Sequence, residues 1–336
     1  VKTLTLIGCP HSYDGSSYYR MWLPFTHLTA NSRHIIYAKE PEKALPTGEQ
    51  VHGEVDVMVF QRPAGPHGTR MLESLLGHTK LVYEIDDDML NVESAGLPHL
   101  YDERARESIR RCLRLCDMVT VASPHLAEII RPYNDNIVVL PNHIKAGLLD
   151  INRPRRERLT IGFAAGSTHS WDVEEIRDPL RGIVHTDPDI DVHFIGANHS
   201  PIIGRPCRWT KWESDVGHYY KHVDFDIAVA PSWDNLFNRS KTPIRALEMG
   251  ALGIPVVASN RLPYSEYVID GKTGFLVNSP DEWQARLRDL INDPQMREEM
   301  GTAGKEQAAG WTIEEGWRLW EAAYEGCVDD GDSNPR

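Results

Sequence analysis

Short apolar runs recur along the chain, separated by longer stretches in which apolar residues return every three or four positions. The runs in the first half are KTLTLIG, RHIIYAK, VDVMVFQ, KLVYEID, DMVTVAS and NIVVLPN. In the second half they are RLTIGFAAG, IDVHFIG, FDIAVAPS, GIPVVAS and GFLV. A run that is apolar at nearly every position predicts a strand buried on both faces, as in a parallel sheet covered by helices. Strands and helical patterns alternate in two series, which predicts an α/β chain of two Rossmann-like, doubly wound domains. Between the series lies DINRPRRERLT, residues 150–160, charged, without an apolar period and containing Pro154. The hinge is placed there, dividing the chain into domains 1–150 and 151–311. After Pro280 the patterns are helical, ending in TIEEGWRLWEAAYEG, which sets Trp317, Trp320, Ala323 and Tyr324 at helical spacing.

Composition narrows the picture. The chain has 336 residues, and at roughly 100–200 residues per domain two domains are the first expectation. No apolar run approaches the ~18 residues of a membrane span. The start, VKTLTLIGCP, reads as a strand without a signal-peptide pattern, so a cytoplasmic protein is expected. The net charge of −13 opposes binding to phosphate backbones except through a local basic face. Cys9, Cys112, Cys116, Cys207 and Cys327 form no CxxC pair, so neither a zinc site nor a disulfide framework is expected. Residues 327–336 are polar and acidic, and disorder is expected there.

Ligands of doubly wound sheets sit beyond the carboxyl ends of the strands, so the residues after each strand carry the search for chemistry. The richest segment is NRSKTPIRALEMGALGIPVVASN, Asn238 to Asn260. Thr242 suits an N-cap and Pro243 the first helical position. The helix would run from about Pro243 to Met249, with unpartnered backbone N–H groups at Ile244 and Arg245. Its dipole favours an anion at that end, where Lys241 and Arg239 also lie. Lys241, Arg245 and Glu248 share one face. The cations and helix end suit a diphosphate, and Glu248 suits a ribose diol. The alternative is a solvated helix with an Arg245–Glu248 pair.

Two glycine turns extend the candidate site. GCPHSYDGSSYYR offers Gly15, Ser16, Tyr19 and Arg20 after the first strand; GFAAGSTHSWD offers Gly166, Ser167 and Thr168 to phosphate oxygens. Neither is a GxGxxG fingerprint, and no acid closes the second strand at YAKEPEK, which counts against a dinucleotide oxidoreductase. A plain strand–turn–helix is the alternative for both. In YEIDDDM, Asp86, Asp87 and Asp88 are three adjacent carboxylates that would serve a metal, a base or a cap; Asp88 is the candidate cap. Arg104, Arg106, Arg110, Arg111 and Arg114 crowd YDERARESIRRCLRLCD, where Glu103 and Glu107 partly pair with them; the face is either solvated or suited to an anionic partner.

PSWDNLFNRSKTPIRALEMGALGIPVVASNRLPYSEYVIDGKTGFLV resembles the donor-site block of retaining GT-B glycosyltransferases, the group often called family 4. The matching features are Pro231-Ser232, Leu247-Glu248, Gly253 to Ala258, Glu266 and Gly271 to Val277, with Asn238 to Lys241 resembling an Asn-x-x-Lys subgroup. DMVTVASPHLAE and VVLPN extend the likeness over most of the chain. The resemblance implies a GT-B fold, two Rossmann-like domains facing a cleft, with acceptor mostly on the first and donor on the second. It implies that a helix, 312–326, crosses back onto the first domain. The implied reaction moves a sugar from a nucleotide diphosphate sugar, UDP-linked at the family level, to an acceptor hydroxyl with retention. Lys241 and Arg239 would stabilise the leaving diphosphate, and Asp86 or Asp87 would bind sugar hydroxyls or the acceptor nucleophile. Asn238, Ser240, Thr242, Arg245 and Glu248, with the two glycine turns, would hold the donor. No metal and no further cofactor is implied.

The family pattern has an earlier Glu where this chain has Ser240, and an Arg and a Lys where none lies between Gly162 and Asp172. Either Asp234 replaces that Glu or the sugar is held differently. The acceptor stays open among glycan, lipid, protein and modified DNA base, as does the oligomeric state. A non-catalytic sugar-nucleotide or glycan-binding protein and a GT-B epimerase are the competing readings.

Overall fold

The computed structural model describes residues 2–41, 46–97, 100–212 and 216–329. The strands are β1 Thr5–Cys9, β2 Ile35–Ala38, β3 Val57–Gln61, β4 Lys80–Ile85, β5 Met118–Val121, β6 Ile137–Val139, β7 Thr160–Ala165, β8 Asp191–Gly196, β9 Arg208–Lys211, β10 Ile227–Ala230, β11 Val256–Ser259 and β12 Gly274–Val277. The helices used below are α1 Leu23–Asn31, α2 Gly65–Glu73, α3 Glu103–Leu115, α4 Arg177–Thr186, α5 Ile244–Ala251, α6 Pro280–Asn292, α7 Pro294–Ala309 and α8 Ile313–Asp329. The chain forms two units, residues 1–143 with 313–336, and residues 144–312.

The first unit holds a six-stranded sheet in the order β2-β1-β3-β4-β5-β6, every pair parallel. β3 is buried at every position, as its unbroken VMVFQ run requires. The sheet order reverses between β1 and β3, so the crevice of this unit opens at their carboxyl ends. Helix α8 packs on α1, with Phe25 and Tyr324 rings 6.0 Å apart. It runs through Cys327 to Asp329, so the expected disorder does not begin at 327; residues 330–336 lie outside the described residues. The Arg-rich α3 is a paired face: Arg106 pairs with Glu93 and Glu103, Arg110 with Glu103 and Glu107, and Arg111 with Glu73 of α2.

The second unit holds the order β12-β11-β10-β7-β8-β9, again all parallel. Its reversal lies between β7 and β10. Chain passage into this unit falls between His143 and Ile144, ahead of the expected division at 150/151. Ile144 N donates to Trp311 O and the turn Ala146–Asp150 packs on α7, so that stretch is already part of the second unit. Helices α4 and α6 cover one core face with Leu180, Ile183, Trp283 and Leu287.

Helix α5 is positioned by its crossing with α7, where backbones touch through glycines. A Cβ built on Gly301 would lie 2.3 Å from Gly253 O, and one on Gly250 would lie 3.1 Å from Gly304 O. Backbone cannot retract as a flexible side chain can. Gly301→Val is therefore expected to destabilise the second unit by about 1–3 kcal/mol. Urea denaturation checks this, and an unchanged midpoint would contradict so close a crossing.

Among the described residues no helix is long and apolar enough to cross a membrane.

Candidate functional site

In the second unit, the carboxyl ends of β7 and β10 and the start of α5 bring together most of the residues singled out for the donor. Helix α5 begins at Ile244, with Pro243 rather than Thr242 at the cap position and no side-chain cap bond. Thr242 is half-buried beside this start. The expected N-cap is thus displaced by one residue, because Pro243 takes a non-helical ψ of 29°. Lys241 lies in the segment before the helix, its Nζ 4.3 Å from the Phe237 ring centroid. Arg239 does not stand as an uncompensated cation. Its Nε and Nη2 donate to Asp234 Oδ1 and Oδ2 at 2.7 and 3.0 Å, and both side chains are nearly half-exposed. Asp234, the candidate replacement for the missing Glu, is held in that same pair. Ser240 is fully buried and its hydroxyl donates to Phe237 O, so it faces the interior and not a ligand.

Arg245 and Glu248 do not pair with each other. Arg245 is buried; Nε donates to Ala164 O at 2.9 Å, Nη1 to the Tyr264 hydroxyl at 2.7 Å, and its guanidinium covers the Phe163 ring. Glu248 accepts from the Tyr219 and Tyr220 hydroxyls at 2.6 and 2.9 Å. These two bonds orient the Glu248 carboxylate beside the helix start. Burial, with the Glu248 charge beside it, pushes the Tyr219 hydroxyl well above its ordinary range, keeping it a donor.

The turn after β7 exposes Gly166 and Thr168 and contains Ser167. It also carries His169, which donates through Nδ1 to Asp172 Oδ2 at 2.7 Å. Asp172 Oδ1 accepts from Trp233 N at 2.8 Å and from Asn238 Nδ2 at 2.7 Å. Asn238 is therefore an internal tie between the β10 segment and the β7 turn. Trp171 and Trp233 lie side by side, ring centroids 5.6 Å apart, each about half-exposed.

In the first unit a second set of polar groups converges at the β1/β3 reversal. Gln61, the last residue of β3, accepts from Ser17 Oγ at 2.7 Å and His11 N at 3.0 Å, and its Nε2 donates to Ser16 Oγ at 3.1 Å. Ser16 Oγ donates in turn to Asp86. Arg62 lies within 3.7 Å of Asp86 and 3.5 Å of Asp14. It has a φ of 51°, which a non-glycine residue rarely adopts. Its buried Nε has no hydrogen-bond partner among the described residues. Of these groups His11, Gln61 and Arg62 line a cavity of about 320 Å³, together with Lys39, His67 and Tyr101 among others. Asp87 is half-buried beside Asp86, whereas Asp88 is buried and accepts from Leu90 N and Asn91 Nδ2, making it the turn cap expected.

Arg20 departs most from its expected donor role. It has no exposed surface. Nε and Nη2 donate to Glu84 at 2.6 and 3.0 Å, while Nη1 donates to Leu140 O and to Asn142 Oδ1. The guanidinium also stacks on Trp320. Its donors are spent inside the core, so it cannot reach a ligand. Tyr19 is buried beside it, and Gly15 and Ser16 stay at the half-exposed rim.

His34, Glu321 and Glu325 gather in metal-like proximity. Leu4 N–H donates to His34 Nδ1 at 3.0 Å, which leaves the proton of the neutral ring on Nε2, facing Glu325 at 3.1 Å. That nitrogen is a hydrogen-bond donor and offers no lone pair to a cation.

Sequence reasoning missed His169, Asp172, Gln61 and Arg62. The first two stand in the quoted GSTHSWD turn, and Arg62 follows the VDVMVFQ strand, so position after a strand was the available signal. Tyr219 and Tyr220 carried none, lying far from Glu248 in sequence.

The chain is similar to known glycosyltransferases. Residues 203–307 match the family profile described as "Glycosyl transferases group 1". A D-inositol 3-phosphate glycosyltransferase of Paenarthrobacter aurescens is 40% identical over 90 residues, covering 26% of this chain and 21% of that protein. One of Arthrobacter sp. is 25% identical over 245 residues, covering 60% of this chain and 54% of that protein. The alignments thus span about half, or less, of those relatives' own length. Sucrose-phosphate synthase from Thermosynechococcus elongatus superposes with a TM-score of 0.70 at 14% identity over 98% of this chain and 100% of its own. The Anabaena HepE protein in complex with UDP gives 0.64 at 12% identity, over 99% and 100%. The two six-stranded parallel sheets with flanking helices are those of the GT-B glycosyltransferases, and the second carries the segment matched to glycosyl transferases group 1.

Proposed function

We propose that this chain transfers a sugar from a UDP-linked donor to an acceptor hydroxyl with retention of anomeric configuration. The observation that carries the reading is the arrangement at the start of α5. Lys241, the unpaired helix N–H groups and the β7 turn lie around a place for a diphosphate, with Glu248 held by two tyrosines one helical turn further in. Negative charge grows on the leaving diphosphate as the glycosidic bond breaks, and donors already aimed there lower the barrier most. The HepE relative is described with UDP bound, which supports the choice of base. The reading assigns no step to a metal.

The acceptor is assigned to the first unit's cavity. Lys39 and Arg62 give it a cationic lining, which suits an acceptor bearing an anionic group on a small polar body. Relatives named D-inositol 3-phosphate glycosyltransferases support that class. Asp86, which accepts a hydrogen bond from the Ser16 hydroxyl and lies beside Arg62 of the cavity wall, is the group that would take a hydrogen bond from the acceptor hydroxyl.

Nucleotide release from UDP-, GDP-, ADP- and TDP-sugars, with and without phosphorylated polyols, tests the reading. Release from one UDP-sugar, quickened by a phosphorylated acceptor, is expected; no binding to any donor would overturn it. Arg62→Gln is expected to raise the acceptor KM roughly 10–100-fold, the loss of a charge-assisted bond worth about 1.5–3 kcal/mol. Steady-state kinetics at saturating donor checks this, and an unchanged KM would remove Arg62 from the acceptor site.

A non-catalytic sugar-nucleotide-binding protein is the second reading. It is favoured by Ser240, whose buried hydroxyl leaves no acid where the resembled family has one. It predicts donor binding without release.

A further inference from the structure

The turn after β7 holds a histidine for which the donor reading gives no role. Nδ1–H of His169 donates to Asp172, and Asp172 is buried and held by Trp233 N and Asn238 Nδ2. A buried carboxylate held by two donors at Oδ1 is a fixed anchor, and its Oδ2 fixes the ring's orientation and its tautomer. Nε2 makes no hydrogen bond to the described residues. In the neutral ring that nitrogen presents a lone pair.

The charged groups acting on the ring come from three places: Asp172 on its own turn, Arg245 on α5 and Lys241 in the segment before α5. Burial first, then Arg245 and Lys241, push the imidazole down to about 4 against the pull of Asp172. The ring is therefore neutral near neutrality while the site is empty. A bound diphosphate changes both conditions. Its charge offsets Lys241 and Arg245, and a lone pair facing its oxygens would be repelled, whereas an N–H would be attracted.

We propose that His169 binds the donor's diphosphate through Nε2–H. The ring takes up one proton from solvent as the diphosphate arrives and returns it when the diphosphate departs, with Asp172 holding the imidazolium in place. This supplies a cation in the segment where the chain has no Arg or Lys between Gly162 and Asp172. It rests on the donor-site reading above.

The pH sign follows from linkage. The ring's pKa is low in the empty protein and raised in the complex. The affinity it contributes is complete below the empty-state value near 4 and is lost as pH rises through the bound-state value. Between the two, one proton enters per ligand, and the dissociation constant rises about tenfold per pH unit.

Calorimetry of UDP binding to the full chain, in buffers of different ionisation enthalpy near pH 6.5, counts the protons. His169→Asn keeps an N–H for Asp172 and removes Nε2. Protons exchanged by UDP itself are common to both proteins, so the difference isolates the ring. Wild type is expected to take up up to one proton more than H169N and to bind UDP with the steeper pH dependence. Equal proton counts, with UDP bound by both, would overturn the role of His169 and leave the donor site standing. No UDP binding by wild type would overturn the donor site and this inference together. If H169N does not fold, the nitrogen-15 shifts of His169 in wild type report the ring directly, and a ring that stays neutral with UDP bound overturns the proposal.

Discussion

Lys241→Ala is expected to lower glycosyl transfer about 10²–10³-fold, the scale on which one donor aimed at developing negative charge acts. Three cations precede or open α5, but they are not equivalent. Arg239 is neutralised by Asp234 near the surface, and Arg245 is committed to Ala164 O and the Tyr264 hydroxyl. Lys241 stays half-buried before the helix, with its ammonium against the Phe237 ring. The loss should concentrate at Lys241 because it lies in the segment that leads into the helix start. Arg239→Ala breaks only an exposed pair that solvent screens, and should change turnover by less than about tenfold. Transfer from a UDP-sugar, measured for both variants with their melting temperatures, separates these outcomes. Wild-type turnover in K241A would sink the diphosphate assignment, and equal losses in the two variants would show that the Asp234 pair opens when donor binds.

Arg20→Ala is expected to destabilise the first unit by about 3–5 kcal/mol, because it strands a buried carboxylate. Glu84 lies in β4 with no exposed surface and accepts from Arg20 at two oxygens as well as from Thr120. Burial pushes its carboxyl upward against the pull of Arg20, so removing the guanidinium leaves a group that must protonate or draw in water. Arg20 also ties the helical turn Tyr18–Trp22 to Leu140 and Asn142 beyond β6 and to Trp320 of α8. Lysine cannot reproduce a fork that reaches all of these, so Arg20→Lys should recover little. Replacing both partners together, as R20M with E84M, removes the stranded charge and should be less damaging than R20A. Urea midpoints for the three variants decide. An R20A midpoint equal to wild type would mean that the pair contributes nothing.

These two residues show how unevenly a site can be read from sequence. Lys241 and Arg20 both followed a strand-and-turn pattern that suits phosphate, and both were assigned to the donor. One stands before a helix start in the second unit; the other lies in the core of the first. Charge at a strand end marks a candidate in sequence, but burial is set by elements far away along the chain. Arg20 meets Glu84 and Asn142, and neither is near it in sequence. The acidic triplet divided the same way. Asp88 turns inward to cap its own turn, a local bond to Leu90 N, while Asp86 meets Ser16 and Arg62.

The sequence by itself determined the two series of parallel strands, the short helix after Pro243 and the Glu103–Arg106 and Glu107–Arg110 pairs of α3. Each depends on residues one to four positions apart, where apolar period, a proline or an Arg–Glu spacing acts directly on the backbone. Only the tertiary structure decided which polar groups meet. Glu248 with Tyr219 and Tyr220, Asp172 with Asn238, and Arg62 beside Asp86 are contacts across sheet order and turn geometry. A buried polar group needs a partner wherever the fold can supply one, and sequence distance places no limit on where that is.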